Sequence, residues 1–288
     1  MKQQDKFKVV SKNLGEVHVH HRDCPLCGRN NDADVADHDL SYDVWTIKQC
    51  PDCNFVYIDR GLDYEQLFSD HSWEVTTKIE ETRRENLRPV SYKASKATRL
   101  RMSILPRKKI HEMVMGFIDG GNVIDLGCGD GAMTGPYPET FSPYGVEIST
   151  ELATAANERL SLSGGRCINA PTIDGLKSFP DDFFSGATLR SYLEHEMNPL
   201  GVLRELFRTL RPGGVAIVKV PNFASINRIV MGAKWCGMRY PDHLNYFTPK
   251  TLDKMAGLAG FKVKAGLTYR LPTSDNMYGA LIKPEASI

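Results

Sequence analysis

A chain of 288 residues has room for one large domain with a small appendage, and 41% hydrophobic with 25% charged residues is the composition of a soluble globular protein. Its 36 Lys and Arg against 35 Asp and Glu leave a net charge of +1, which excludes a global field that recruits nucleic acid. No apolar run is long enough to span a bilayer and the first ten residues lack a signal-peptide core, so a cytoplasmic protein without a disulfide framework is expected.

Residues 1–23 are polar and carry His18, His20 and His21, which invite a metal reading, although the V-H-V-H alternation also suits an edge strand. Two C-x-x-C pairs follow, Cys24 with Cys27 and Cys50 with Cys53, each trailed by Gly28 or Asn54. Such a pair forms a knuckle that turns both sulfurs toward one point, and two knuckles supply the four thiolates of a structural zinc site. A redox dithiol needs only one pair. With four protein ligands the site is closed, so the metal should contribute folding energy rather than chemistry. Between the pairs, residues 34–40 read as an acidic loop, and 44–48 and 55–58 alternate like ribbon strands.

From Lys78 to Lys109 the charge changes: eleven Lys and Arg face Glu80, Glu81 and Glu85, a net of +8. A solvated helical connector and an electrostatic lip for a phosphorylated substrate both fit. Pro89 and Pro106 divide the stretch, predicting helices over 93–104 and 108–118.

Residues 122–133 (NVIDLGCGDGAM) then predict a buried strand ended by Asp125, a glycine turn over 127–131, and a helix opening at Ala132 that Gly135, Pro136 and Pro138 cut short. Such a turn lets a ligand approach bare backbone. A second acid, Glu147, closes the next strand (143–148), at a distance suited to a ribose diol. Ser149 is the expected N-cap of a helix to about residue 160, with strands at 166–170 and 180–190. A helix over 199–210, the Arg211-Pro212-Gly213-Gly214 turn and a strand over 215–220 continue the alternation. Residues 221–247 interrupt it, a helix resumes over 248–259, and strands at 261–269 and 276–283 end the fold.

The stretch V-I-D-L-G-C-G-D-G resembles motif I of the class I S-adenosylmethionine-dependent methyltransferases, G-V-E-I-S resembles their acidic second-strand motif, and L-R-P-G-G before a strand is a further hallmark. The competing nicotinamide Rossmann enzymes use G-x-G-x-x-G to cradle a pyrophosphate, whereas the G-x-G-x-G spacing here suits a ligand without one. The resemblance covers residues 110–284 and implies an α/β, doubly wound, Rossmann-like sheet of seven strands, here with a small N-terminal zinc ribbon. Its implied units are a ribbon over 1–62, a basic connector over 63–109 and a cofactor-binding domain over 110–288. It implies S-adenosylmethionine held by Asp125, Gly127, Cys128, Gly129, Glu147, Ile148, Asn169 and Arg190, with Gly127 and Gly129 at the methionine moiety and Glu147 on the ribose. Asn169 stands where the family often has an acid for the adenine amine.

Leu193-Glu194-His195 resembles the L-E-H that follows strand four in many members, where it reads either as scaffolding or as a base. In the insert, Y-x-x-H-x-x-Y-F resembles zinc-ribbon C-methyltransferases acting on nucleotide-linked deoxysugars, and Tyr240 and His243 fall on their Tyr and His positions. Pro241-Asp242 replaces the His-Glu of those enzymes. The expected reaction is in-line methyl transfer to a small molecule, a sugar, a phosphorylated or nucleotide-linked sugar or a related biosynthetic intermediate, with His243 as base, Tyr240 assisting and His195 in reserve, and with no catalytic metal. Two rival readings stay open: an RNA methyltransferase with a zinc recognition module, and a cofactor-binding scaffold without catalysis. The acceptor atom and the oligomeric state are not legible.

Overall fold

A computed structural model of the chain describes residues 6–62, 109–264 and 272–285, together with Lys78, Thr82 and Glu85. Those three isolated positions are helical and exposed; the rest of the basic connector, with its expected helix over 93–104, lies outside the described residues.

The chain opens with a hairpin, β1 (Lys6–Ser11) and β2 (Gly15–His21), of which the sequence announced only the second strand. Next come β3 (Ile47–Gln49), β4 (Val56–Ile58) and β5 (Arg60–Leu62); β5 joins β2 in a three-stranded sheet, and β3 pairs with β4. His18, His20 and His21 lie along β2 and belong to neither of the two groups of metal-ligating side chains found among the described residues.

The larger layer begins with α1 (Ile110–Met115), shorter than the expected 108–118 and started by a capping exchange in which Glu112 accepts from the Lys109 backbone. Then follow β6 (Gly121–Leu126), β7 (Phe141–Glu147), α2 (Thr150–Ser161), β8 (Cys167–Asn169), α3 (Thr172–Lys177) and β9 (Phe184–Arg190). The chain continues through α4 (Pro199–Thr209), β10 (Leu210–Pro221), α5 (Ile226–Met231), β11 (Asn245–Tyr246), α6 (Pro249–Leu258), β12 (Lys262–Lys264) and β13 (Asn276–Ile282). The sheet order is β12-β13-β10-β9-β6-β7-β8, parallel except where β13 runs against both neighbours. Strand order reverses beside β6, so the crevice at its C-terminal end is where an open α/β sheet receives ligands.

Local chemistry explains the helices. Ser149 caps α2 by accepting from the Leu152 amide, Asn198 caps α4 through Gly201, and Pro199 and Pro249 occupy first-turn positions where no amide bond is lost. The buried stripe Val202, Leu203 and Leu206 presses α4 on the sheet. One expected helix is missing. After the glycine turn, residues 131–134 form only turns, because Pro136 and Pro138 cannot donate and Gly135 adopts φ 103° against His111. A Cβ at Gly135 would fall 2.4 Å from the His111 ring.

The boundary expected at residue 62 does not separate two cores. β11, from the insert, pairs with β4 of the ribbon, so the two parts share a sheet. Cys24, Leu26, Cys50, Cys53, Phe55 and Tyr57 belong to the same apolar core as Leu126, Leu189, Leu206 and Phe247. A second core joins Val17, Trp45 and Ile58 to Trp235, Met238, Tyr240 and Tyr246. The insert's aromatics Trp235, Tyr240 and Tyr246 are thus packing residues.

Candidate active site and cysteine centre

Both C-x-x-C turns close as knuckles. The Gly28 amide donates to the Cys24 carbonyl and the Asn54 amide to the Cys50 carbonyl, each at 2.8 Å. Gly28 and Asn54 sit at φ 75° and 58°, the left-handed region that Gly and Asn tolerate best. The sulfurs of Cys24 and Cys53 lie 3.5 Å apart, as do those of Cys27 and Cys50, and all four fall within 4.8 Å of one another. A tetrahedral zinc with bonds of about 2.3 Å places its sulfurs about 3.8 Å apart. The separations exceed a disulfide bond of about 2.05 Å, so all four are thiols.

The glycine turn lies at the end of β6. Gly127, Gly129 and Gly131 all have positive φ, and a Cβ built on Gly129 meets nothing within 4 Å, leaving its backbone open to a ligand. A Cβ on Gly127 would fall 2.7 Å from the Tyr192 ring. Glu147, buried at the end of β7, accepts from the Gly129 amide at 2.9 Å and the Ser149 amide at 3.0 Å, tying the turn to the second strand. Cys128 faces β8, its sulfur 3.6 Å from that of Cys167. Asn169 is occupied: its amide donates to the Glu147 and Ile148 carbonyls, and its oxygen accepts from Thr150. It therefore shapes the loop after β7, and an adenine contact there falls to backbone. Arg190 ends β9 and acts electrostatically on Asp125.

Asp125 is 5% exposed and accepts from Thr188 at 2.6 Å and Thr134 at 3.1 Å. Burial pushes its carboxyl up to about 6 against the lowering pull of the two hydroxyls. The sign of the linkage follows. Between the unfolded value of about 3.9 and the folded value, the folded chain keeps a proton that the unfolded one releases, so stability falls as pH rises through that window. The expected contribution is on the order of 2–3 kcal/mol. The change in urea-unfolding free energy between pH 4 and pH 7 should differ between wild type and Asp125→Asn by this contribution, other buried groups such as Glu194 and His195 keeping theirs; an unchanged difference would contradict this account.

Beyond β9, residues 191–197 turn under the insert. His195 and His243 meet edge to face with ring centroids 4.8 Å apart, and Glu194 contributes a carboxylate to the same cluster. His243 is 6% exposed, and its Nδ1 lies 2.8 Å from the Gly237 carbonyl, which can only accept; in the neutral ring Nδ1 carries the proton and Nε2 the lone pair. Burial pulls the pKa of His195 down to about 4, against the raising pull of Asp242. Glu194 is 1% exposed, and apart from its own amide neither carboxylate oxygen has a hydrogen-bond partner among the described residues. Burial raises its carboxyl to about 8, against the lowering pull of Lys219 and Arg239. The adjacent Glu194 and His195 and the sequence-distant His243 thus face one another beyond the end of β9. The sequence had marked both histidines and passed over the carboxyl.

Tyr240 is 4% exposed, its ring lies against Tyr42, and the hydroxyl expected to assist His243 donates to the Leu40 carbonyl, fastening the insert to the ribbon.

What holds the histidine segments is a residue the sequence did not flag. Arg22, fully buried two positions before Cys24, donates to the carbonyls of Ile58, Glu196, Met197 and Leu244 and to Asn245 Oδ1. Asn245 in turn donates to the Leu193 and Glu196 carbonyls, and the Glu194 carbonyl accepts from the amides of Leu244 and Asn245. A lone arginine after a run of histidines carries no motif, so no sequence signal announces it.

The sheet order, the glycine turn after β6 and the acid ending β7 define the fold of a class I methyltransferase. A family model described as a methyltransferase domain matches residues 98–265, and the chain belongs to that family and is an S-adenosylmethionine-dependent methyltransferase. It is similar to the ubiquinone biosynthesis O-methyltransferase of Psychrobacter arcticus, 27% identical over 152 residues covering 49% of this chain and 59% of that one. To the protein of the same name from Pseudomonas fluorescens it is 26% identical over 189 residues, covering 57% and 78%. The chain thus spans 59% of the length of the first relative. Among solved structures it resembles a SAM-dependent methyltransferase from Archaeoglobus fulgidus, with 17% identity, a TM-score of 0.48 and coverage of 60% and 90%. Among the described residues no helix is long and apolar enough to cross a membrane.

Proposed function

We propose that the chain methylates a hydroxyl oxygen of a small molecule, with His243 receiving the acceptor's proton. The observation that carries this reading is the meeting of His195 and His243 beyond the C-terminal end of β9, the strand next to the glycine turn. An oxygen acceptor is supported by the relatives, both named O-methyltransferases; neither name concerns a sugar, so the nucleotide-linked sugar is not carried forward. Small hydroxylated acceptors incubated with S-adenosylmethionine should release S-adenosylhomocysteine in proportion to methyl ether formed. Methylation of RNA alone, or of carbon alone, would overturn the reading.

The residues at the crevice fit the cofactor. Gly129 leaves the space of a Cβ vacant, Glu147 closes the second strand with a carboxylate already aligned by two amides, and Asp125 holds the turn through Thr134. When bound, S-adenosylmethionine supplies an electrophilic methyl carbon whose bond to sulfur breaks as the bond to the acceptor forms. Gly127 and Gly129 hold the methionine end, Glu147 the ribose hydroxyls, and Ile148 with Arg190 flanks them. His243 uses the Nε2 lone pair that its bond to Gly237 leaves on that atom, and the same carbonyl then stabilises the protonated ring. His195 orients the acceptor beside it. Gly127→Ala should weaken S-adenosylmethionine binding by about tenfold or more, since an alanine at φ 69° costs roughly 1–2 kcal/mol before Tyr192 is displaced. Calorimetry giving wild-type affinity for this variant would contradict the assignment.

Cys24, Cys27, Cys50 and Cys53 hold one structural zinc in this reading. The sulfur separations and knuckle bonds support it, and elemental analysis of protein purified without chelator should return one zinc per chain at this site.

A further inference from the structure

We propose that Glu194, His195 and His243 form a second metal site, for a divalent transition cation of the manganese, iron, cobalt or zinc class. Their donor atoms lie within 4.8 Å of one another, and among the described residues this is the one such group besides the four cysteines. A 2-His-1-carboxylate set with open positions is the ligand pattern of catalytic transition-metal sites.

Three features separate this group from an accidental cluster. Glu194 is 1% exposed, and neither of its oxygens finds a hydrogen-bond partner beyond its own residue among the described residues. A buried carboxylate in that position requires a cation or a proton donor. The His243 imidazole is also held from behind by a backbone carbonyl of the insert, that of Gly237 at 2.8 Å. Metal-binding histidines are oriented in this way, one ring nitrogen donating to a carbonyl while the other faces the metal. Finally, the backbone that carries the three groups is rigid: the Glu194 carbonyl accepts from Leu244 and Asn245, locking residue 194 to the strand that follows His243. The nearby positive charges act on Glu194 through space without hydrogen-bonding its carboxylate. Lys219 bonds the Ser191 hydroxyl at 3.1 Å, and Arg239 pairs with Asp242 at 3.1 Å.

The inference rests on the reading of this cluster as the place of methyl transfer and deepens it. With the cation bound, the His243 Nε2 lone pair would serve as a ligand and not as the base. The cation would favour the ionised acceptor oxygen, whose proton would pass to a water or hydroxide in one of the open positions. Three protein ligands leave positions open for the acceptor and water. The cysteine centre, with four protein ligands, leaves none, so the two sites have different duties.

The test uses the full chain with zinc in the cysteine centre and cobalt(II) as the probe. One equivalent of cobalt should bind with weak d–d absorption bands and without the sulfur-to-cobalt charge-transfer band that binding to cysteines produces. Glu194→Gln, His195→Gln and His243→Gln should each weaken it by more than the roughly 10–100-fold that loss of an outer-shell partner costs. Melting curves of the zinc-loaded variants identify any that fail to fold, and any one of the three that folds suffices for the comparison. No cobalt beyond the cysteine centre, or cobalt bound equally by wild type and a folded variant, would overturn the metal site. Failure of the site and failure of the functional reading are distinguishable. If cobalt does not bind but His243→Gln still abolishes methyl transfer, the base reading stands and the metal falls. If cobalt binds as expected and no hydroxylated acceptor is methylated, the metal stands and the acceptor class falls.

Discussion

His243→Ala should lower turnover by about 10²-fold or more, the scale expected when a positioned base is lost, while S-adenosylmethionine affinity stays within a few-fold of wild type. The separation of the two effects follows from geometry. His243 bonds Gly237 within the insert, whereas the cofactor crevice is built from the turn at Gly127–Gly131 and from Glu147, on other strands. His195 extends from β9, the strand adjoining β6, so His195→Ala should disturb cofactor binding as well as turnover. Calorimetry and single-turnover rates on both variants separate the roles. Near-normal turnover in His243→Ala, with turnover abolished and cofactor affinity intact in His195→Ala, would exchange the assignments.

Removing the zinc proposed for the cysteine centre, or replacing Cys53 by Ala, should unfold the ribbon and abolish turnover together. Structural zinc contributes on the order of 10 kcal/mol to the folding of small modules, and this centre lies in the main apolar core, not in a detached appendage. Arg22 carries the effect to the active site. Its guanidinium, kept charged although burial lowers its pKa to about 10, holds the segments bearing His195 and His243 through five acceptors. Arg22→Met leaves those acceptors buried and unpaired, so it should lower stability by about 3–5 kcal/mol and reduce turnover more than cofactor affinity. Denaturant unfolding and calorimetry read the two effects. A ribbon whose metal is stripped while methyl transfer continues at its original rate would show that the two parts are not coupled this way.

The cysteine knuckles and the glycine turn were legible because their geometry is local. Gly28 and Asn54 take the left-handed conformation that closes a C-x-x-C turn, and Gly127, Gly129 and Gly131 take it at the end of a buried strand. Spacing along the chain dictates these dihedral angles, whereas the seven-stranded sheet was legible through the resemblance that the glycine and acid motifs carry. Local rules also misled. The insert read as an interruption of the alternation, yet its Trp235, Tyr240 and Tyr246 are core residues against the ribbon, a fact about long-range packing that periodicity does not carry.

What the sequence by itself determined was therefore the class of fold, the methyltransferase motif and the four-thiol set, each encoded by residues a few positions apart. Tertiary structure alone decided which side chains meet at the active site. Glu194 became notable only once burial left its carboxylate without a partner, and His243 joined it only because β11 pairs with β4 and draws the insert over the end of β9. Arg22 reaches Leu244 across 222 residues, and nothing in the composition near either residue records that contact. The physical reason is the same throughout: backbone conformation is selected by neighbours in the chain, whereas burial and the pairing of buried charge depend on which distant segments the fold packs together.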